Sequence, residues 1–252
     1  MNDLLLSTGL SLTGCLAVMV MAFGAAAIRG LTGFGMASIL VPLLCLMMRP
    51  DAAVILAILL QFMIGPVGLR RIIADAHFGS ALPIMGAAVI TTPLGLWLLA
   101  HTPPDIARFV VAVIAIGAFL LILLPRKVEA IPEGITPIVT GALAGLLTGF
   151  AAMPGPPVVV FYIRDSITPI VARASMMMVF FATAIAGTTI AAISGLMTTP
   201  IIITAFFMLI PMIAGNWLGA KAFGKISPPL WRSAVGLLLG GAGVSALYRL
   251  IA

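Results

Sequence analysis

The sequence predicts an all-α fold: a polytopic helical membrane protein with two inverted repeats, each a broken or hairpin segment plus three transmembrane helices. Three observations predict it. Hydrophobic residues make up 62% of the 252-residue chain and charged residues 8%, against about 45–50% and 25% in soluble domains. The charges cluster, and the uncharged runs between them, 52–69, 81–100, 109–124, 134–163 and 174–220, have the lengths of single or paired membrane spans, which need roughly 20 apolar residues each. The tetrapeptide LTGF occurs twice, at 31–34 and 147–150. A β-barrel would show short alternating segments, and this chain shows none.

The first repeat covers 1–124. Its opening segment, 10–48, is read as a hairpin because "RGLTGFG" (29–35) interrupts an apolar run with glycines, and from Leu4 to Met48 the only charge is Arg29. Spans follow over 52–69, closed by Arg70 and Arg71, over 81–100, and over 106–124 after "HTPPDIAR". A charged linker, 125–136, contains "PRKVEAIPEG". The second repeat covers 137–252. Its motif segment, 137–163, is cut by "MPGPP" (153–157), whose prolines cannot continue a regular helix. Spans over 171–193, 200–220 and 230–250 complete it. The turn "SGLMTTP" divides the first two, and "ISPPLWR", the counterpart of "HTPPDIAR", precedes the third.

Charge bias chooses between one broken crossing and a hairpin. With hairpins, Arg70, Arg71, Arg126, Lys127, Arg164, Arg173, Lys221, Lys225 and Arg232 share one face and Arg49, Arg108 and Arg249 the other, a split of nine to three. Single crossings reduce the split to seven to five. The positive-inside rule favours the hairpins. Each half then makes an odd number of crossings, the halves are inverted, and both termini are expected in the periplasm.

Irregular backbone inside a membrane must line a wet cavity or be buried in protein. The two breaks therefore define the candidate site: Arg29, Thr32, Gly33, Phe34 and Gly35 from the first, and Thr148, Gly149, Pro154, Gly155 and Pro156 from the second. Arg at mid-membrane costs roughly 2.5–3.5 kcal/mol on insertion scales, and its forked donors suit an oxyanion. The bland reading is an Arg that snorkels to the surface or caps a helix. The two threonine hydroxyls either donate to an anion or bond back to their own helix. Gln61 and Asn216 are read as interhelical hydrogen-bonding residues. Trp97 and Trp217 occupy similar places in the two halves and are read as interfacial anchors or packing residues.

Several functions are excluded or disfavoured. The basic excess of +6 sits at span ends and needs no nucleic acid to explain it. "LTGC" (12–15) lacks the preceding Lys or Arg of a lipoprotein or secretory leader. Cys15 and Cys45 read as packing residues, the Met176–Met178 cluster as adaptable packing, and no His or Cys spacing fits a metal. No cofactor and no enzymatic activity are expected, since a nucleophile with its base, or a metal, is missing at membrane depth. All seven Asp and Glu lie in the N-terminal tail, in loops or at span ends, so no intramembrane carboxylate is available as a proton relay. A small anion needs no such relay to leave a cell whose interior is negative. The partners expected are a small anionic substrate and the lipid bilayer, and a homo-oligomer is left open.

"RGLTGFG" followed by "VPLL", then "MPGPPVVVFYI", "TPPDIAR" and "ISPPLWR", resembles the TauE/SafE sulfite exporter family over roughly 10–250. The resemblance implies a permease of the bacterial inner membrane with duplicated halves. Its implied substrates are sulfite or an organosulfonate such as sulfoacetate. The alternative is another small organic acid or neutral solute on the same scaffold. Alternating access, one half rocking against the other around the crossing of the two hairpins, is the mechanism the duplicated broken segments predict. The family's motif glycines correspond to Gly33, Gly35, Gly149 and Gly155, and the arginine of one branch to Arg29. Many members carry a run of glycines where this chain has "GFGMAS".

Overall fold

A computed structural model describes residues 12–123, 135–163 and 168–223. Residues 125–134 of the expected linker 125–136 and the expected span 230–250 lie outside the described residues, which form ten helices and no strand; the linker's last two residues, Ile135 and Thr136, already belong to a helix. They are α1 Leu12–Thr32, α2 Met36–Leu44, α3 Pro50–Ile64, α4 Leu69–Asp75, α5 Phe78–His101, α6 Pro104–Leu123, α7 Ile135–Ala151, α8 Gly155–Ile163, α9 Pro169–Ile193 and α10 Thr199–Ala222. Four of them (α1, α5, α9 and α10) are long and apolar enough to cross a membrane. The outward residues agree with a lipid environment: Ile90 and Ile210 are each 77% exposed, which water would penalise and acyl chains do not.

Local chemistry explains where the helices stop. α1 ends at Gly33-Phe34-Gly35, where Gly33 and Gly35 adopt φ of +84° and +87°, a left-handed region open to glycine at no steric cost. α7 ends at Ala152, which holds φ +57°, followed by Pro154. Pro156 and Pro157 then occupy the first turn of α8, where missing N–H groups cost nothing. Both motif segments are thus two helices joined by a three-residue break.

The second LTGF lies wholly inside α7, whereas the first straddles the end of α1. The backbone equivalence therefore runs otherwise than the tetrapeptide suggests. The Gly33 N–H donates to the Arg29 carbonyl and the Ala152 N–H to the Thr148 carbonyl, so Gly33 corresponds to Ala152 and Arg29 to Thr148.

The helix expected over 52–69 stops earlier, at Ile64. The following "GPVG" contains Gly68 at φ +78°, and α4 leaves at 83° to α3. α3 is the central rod. Val54, Ala57, Ile58 and Leu60 are fully buried, and it contacts α2, α6, α7, α9 and α10.

Two helix pairs are packed most closely, α1 with α10 and α5 with α7, each across a stripe of glycines. A Cβ on Gly215 or Gly219 would strike the Phe23 or Ala27 carbonyl of α1, and one on Gly30 the Asn216 carbonyl. A Cβ on Gly141, Gly145 or Gly149 would strike the Ile84, Ala88 or Thr92 carbonyl of α5. In both pairs the residue numbers rise together, so each pair runs parallel. The helix before the first break, α1, therefore packs on α10, and the helix before the second, α7, packs on α5.

Each of those partner helices ends in an aromatic residue paired one turn on. Trp97 packs against His101 with ring centroids 4.5 Å apart, and the Lys221 Nζ lies 3.5 Å from the Trp217 ring centroid. Both tryptophans are exposed.

Candidate functional site

Arg29 sits in the last turn of α1 and is only 6% exposed. The glycines of α10 let the two backbones approach, and that brings Asn216 within reach: Arg29 Nη1 donates to Asn216 Oδ1 at 2.9 Å. Among the described residues the ion pairs are Arg49–Asp51 and Arg108–Asp105. Arg29 has therefore been given a neutral partner, and its full charge is uncompensated by any carboxylate there.

A small cavity of about 20 Å³ opens beside it, room for a water molecule. It is lined by Arg29, Gly33, Phe34 and Gly35 of the first break, by Ala152, Met153, Pro154 and Gly155 of the second, and by Met36, Ala37, Ser38, Gln61 and Phe180. The two breaks thus meet. Six of the ten residues singled out from the sequence line this cavity: Arg29, Gly33, Phe34, Gly35, Pro154 and Gly155. Thr32, Thr148, Gly149 and Pro156 do not.

The hydroxyls show why. Thr32 Oγ1 donates within its own turn, to the Ile28 carbonyl at 2.9 Å or the Phe34 carbonyl at 2.8 Å, and accepts from the Phe34 N–H at 3.0 Å. It holds the shape of the break. Thr148 Oγ1 donates to the Ala144 carbonyl at 2.7 Å inside α7. Gly149 is committed to packing on α5.

The two helices that start at the cavity differ as anion sites. Gly35 caps α2, and its carbonyl accepts the Ile39 N–H at 3.3 Å. The N–H groups of Met36, Ala37 and Ser38 precede that first helical bond, at the positive end of the helix dipole. α8 begins Gly-Pro-Pro, so within its first three positions Gly155 alone carries an N–H. Met36, Ala37 and Ser38 all line the cavity, so α2 brings more backbone N–H groups to it than α8 does, beside the Arg29 guanidinium.

Gln61 steadies the second break: its Nε2 donates to the carbonyl of the buried Ala152 at 3.0 Å. Asn216 makes the interhelical hydrogen bond expected of it, while Gln61 ties α3 to the break between α7 and α8.

Arg173, one turn into α9, does more than add to the charge of one face. Its Nη2 donates to the Gly30 carbonyl at 2.6 Å, and its guanidinium carbon lies 4.8 Å from the Phe223 ring centroid. The signal was present, since Arg173 falls inside the expected span 171–193. Ser38 and Phe180 carried no such signal.

The family model described as "Sulfite exporter TauE/SafE" matches residues 18–246. The chain is similar to the "Probable sulfite/organosulfonate exporter TauE" of Cupriavidus necator (strain ATCC 17699 / DSM 428 / KCTC 22496 / NCIMB 10442 / H16 / Stanier 337). The two are 24% identical over 186 residues, which cover 74% of this chain and 73% of that protein. No solved structure matches it.

Proposed function

The chain belongs to the sulfite exporter TauE/SafE family, a family of membrane transporters, and we propose that it exports a small sulfur oxyanion, sulfite or an organosulfonate, across a bacterial inner membrane. One observation carries this reading: a buried guanidinium, paired among the described residues with the neutral Asn216, borders a cavity shared by both helix breaks. A site with one fixed positive charge and inward N–H groups binds an anion and discriminates against cations.

The direction follows from energetics. Each negative charge leaving a cell gains about 2.3 kcal/mol per 100 mV of membrane potential, so a selective path suffices. Alternating access supplies that path when the substrate binds the inward- and outward-facing states differently.

Inverted halves are part of the proposal. Three features support them. The parallel pairs α1–α10 and α5–α7 exchange partners between the halves. α2 ends beside α6, where Arg108 Nε donates to the Cys45 carbonyl at 3.2 Å. α8 ends beside the start of α5, where the Tyr162 and Ser80 hydroxyls lie 3.1 Å apart. The start of α6 and the start of α5 belong to opposite ends of the bundle, so the two motif hairpins open to opposite sides. By the positive-inside rule the end bearing Arg70, Arg71, Arg173 and Lys221 faces the cytoplasm.

The test is efflux of labelled sulfite, sulfoacetate and a neutral control from proteoliposomes under an imposed potential. Wild-type efflux should follow the inside-negative potential. Arg29→Ala should fold and lose flux about 10- to 100-fold, the equivalent of a charged hydrogen bond of about 1.5–3 kcal/mol. Normal flux through folded Arg29→Ala removes the site.

A further inference from the structure

A second cavity, of about 520 Å³, lies between α4, α9 and α10. Arg71, Asp75, Arg173, Met177, Asn216 and Phe223 are among its lining residues. Its floor is shared with the central site: Asn216 borders this cavity and accepts the Arg29 hydrogen bond. Between the two cavities stands Arg173. Its stem covers the face of Gly33, where a Cβ would come 2.5 Å from Arg173 Cγ, and Gly33 in turn lines the central cavity.

The bonding of Arg173 is incomplete in a telling way. Nη2 is held by the Gly30 carbonyl. The ring of Phe223 supports the guanidinium from one side. Nε is buried and has no hydrogen-bond partner among the described residues, although an unsatisfied buried donor is rare in folded proteins. Asp75 lines the same cavity, yet no ion pair joins it to Arg173 among the described residues. A full positive charge is thus held by one neutral carbonyl and a ring face.

We propose that Arg173 is a second anion site and the gate of the central one. A small oxyanion in the 520 Å³ cavity pairs with the Arg173 guanidinium, draws it off the Gly30 carbonyl and uncovers the Gly33 break that leads to Arg29. The exchange is favourable in direction, because an oxyanion adds charge–charge attraction and paired, bidentate N–H···O bonds to the guanidinium, whereas the carbonyl offers one neutral acceptor. The carbonyl acts as a placeholder that an anion displaces and a neutral solute does not. Two guanidiniums in series then pass one anion from the cytoplasmic cavity to the central site. This inference rests on the transport reading above and adds to it the route by which the substrate arrives.

The experiment places a single cysteine at Ser38, in the central cavity, after Cys15→Ala and Cys45→Ala. Its alkylation by an impermeant anionic thiol reagent is followed in inside-out vesicles, beside sulfite flux in proteoliposomes. Arg173→Ala should raise the alkylation rate about tenfold and raise the half-saturating sulfite concentration about tenfold. Arg29→Ala should lower flux without opening the cysteine to the reagent. Should Arg173→Ala fail to fold, Phe223→Leu removes the supporting ring, keeps the charge and should raise alkylation about threefold. Unchanged alkylation and unchanged half-saturation in a folded Arg173→Ala, or unchanged alkylation in Phe223→Leu, overturns the gate. If Arg29→Ala still abolishes flux in that case, the transport reading stands and the gate alone falls.

Discussion

At the scale of residues, the Arg29–Asn216 hydrogen bond joins two groups that cannot be removed singly without penalty. Asn216→Leu leaves the guanidinium buried without an acceptor, and the expected cost is about 1–3 kcal/mol, read as a lowered melting temperature in detergent. Replacing both by leucine removes donor and acceptor together, which is nearly neutral in a core. The double variant should therefore recover stability and still fail to transport. A double variant no more stable than Asn216→Leu would mean that the pair's role is not this bond. Thr32 and Thr148 separate in the same way. Thr32→Val unties the turn at Phe34 and should reduce flux several-fold. Thr148→Val removes only a bond within α7, and its flux should stay within about twofold of wild type.

At the scale of elements, the glycine stripes are the feature most exposed to test. Overpacking a closely fitted interface costs roughly 1–3 kcal/mol, and here the obstacle is backbone, which cannot move aside as a side chain can. Gly145→Leu on α7 and Gly219→Leu on α10 should each lower the yield of folded protein and its melting temperature. Gly24, in the middle of α1, has open space around it. Gly24→Ala should leave the melting temperature unchanged or raise it, since alanine is the better helix former by about 1 kcal/mol. A comparable loss at all three positions would show that propensity, not close approach, governs them.

At the scale of the whole molecule, the proposed arrangement makes the two ends of the bundle distinguishable. Arg49 and Asp51 form an exposed ion pair at 3.1 Å beside the end of α5, while Arg71 and Arg173 gather at the other end. Single cysteines at Asp51 and Arg71 should react with impermeant reagents from opposite sides of the membrane, Asp51→Cys from outside and Arg71→Cys from within. Labelling from one side only would sink the inverted arrangement.

Much of the helical layout was legible in the chain because lipid selects for length and hydrophobicity, both of which are additive along a sequence. The helix breaks were legible for a similar reason: glycine and proline act on their own backbone. Ala152 was not, since nothing in an alanine signals a left-handed φ of +57°; tertiary packing and the Gln61 bond hold it there. The repeated LTGF misled about alignment, because a helix can continue through a glycine when a neighbouring helix closes on it, as α5 does at Gly149.

By itself, then, the sequence determined the solvent, the helices, the two breaks and the presence of one charge that lipid would reject. Only the tertiary structure decided who meets whom. Arg29 finds Asn216 across 187 residues and Arg173 finds Gly30 across 143. Periodicity along one helix says which residues share a face, whereas contact between distant helices depends on how closely their backbones approach, and that is settled by packing over the whole bundle.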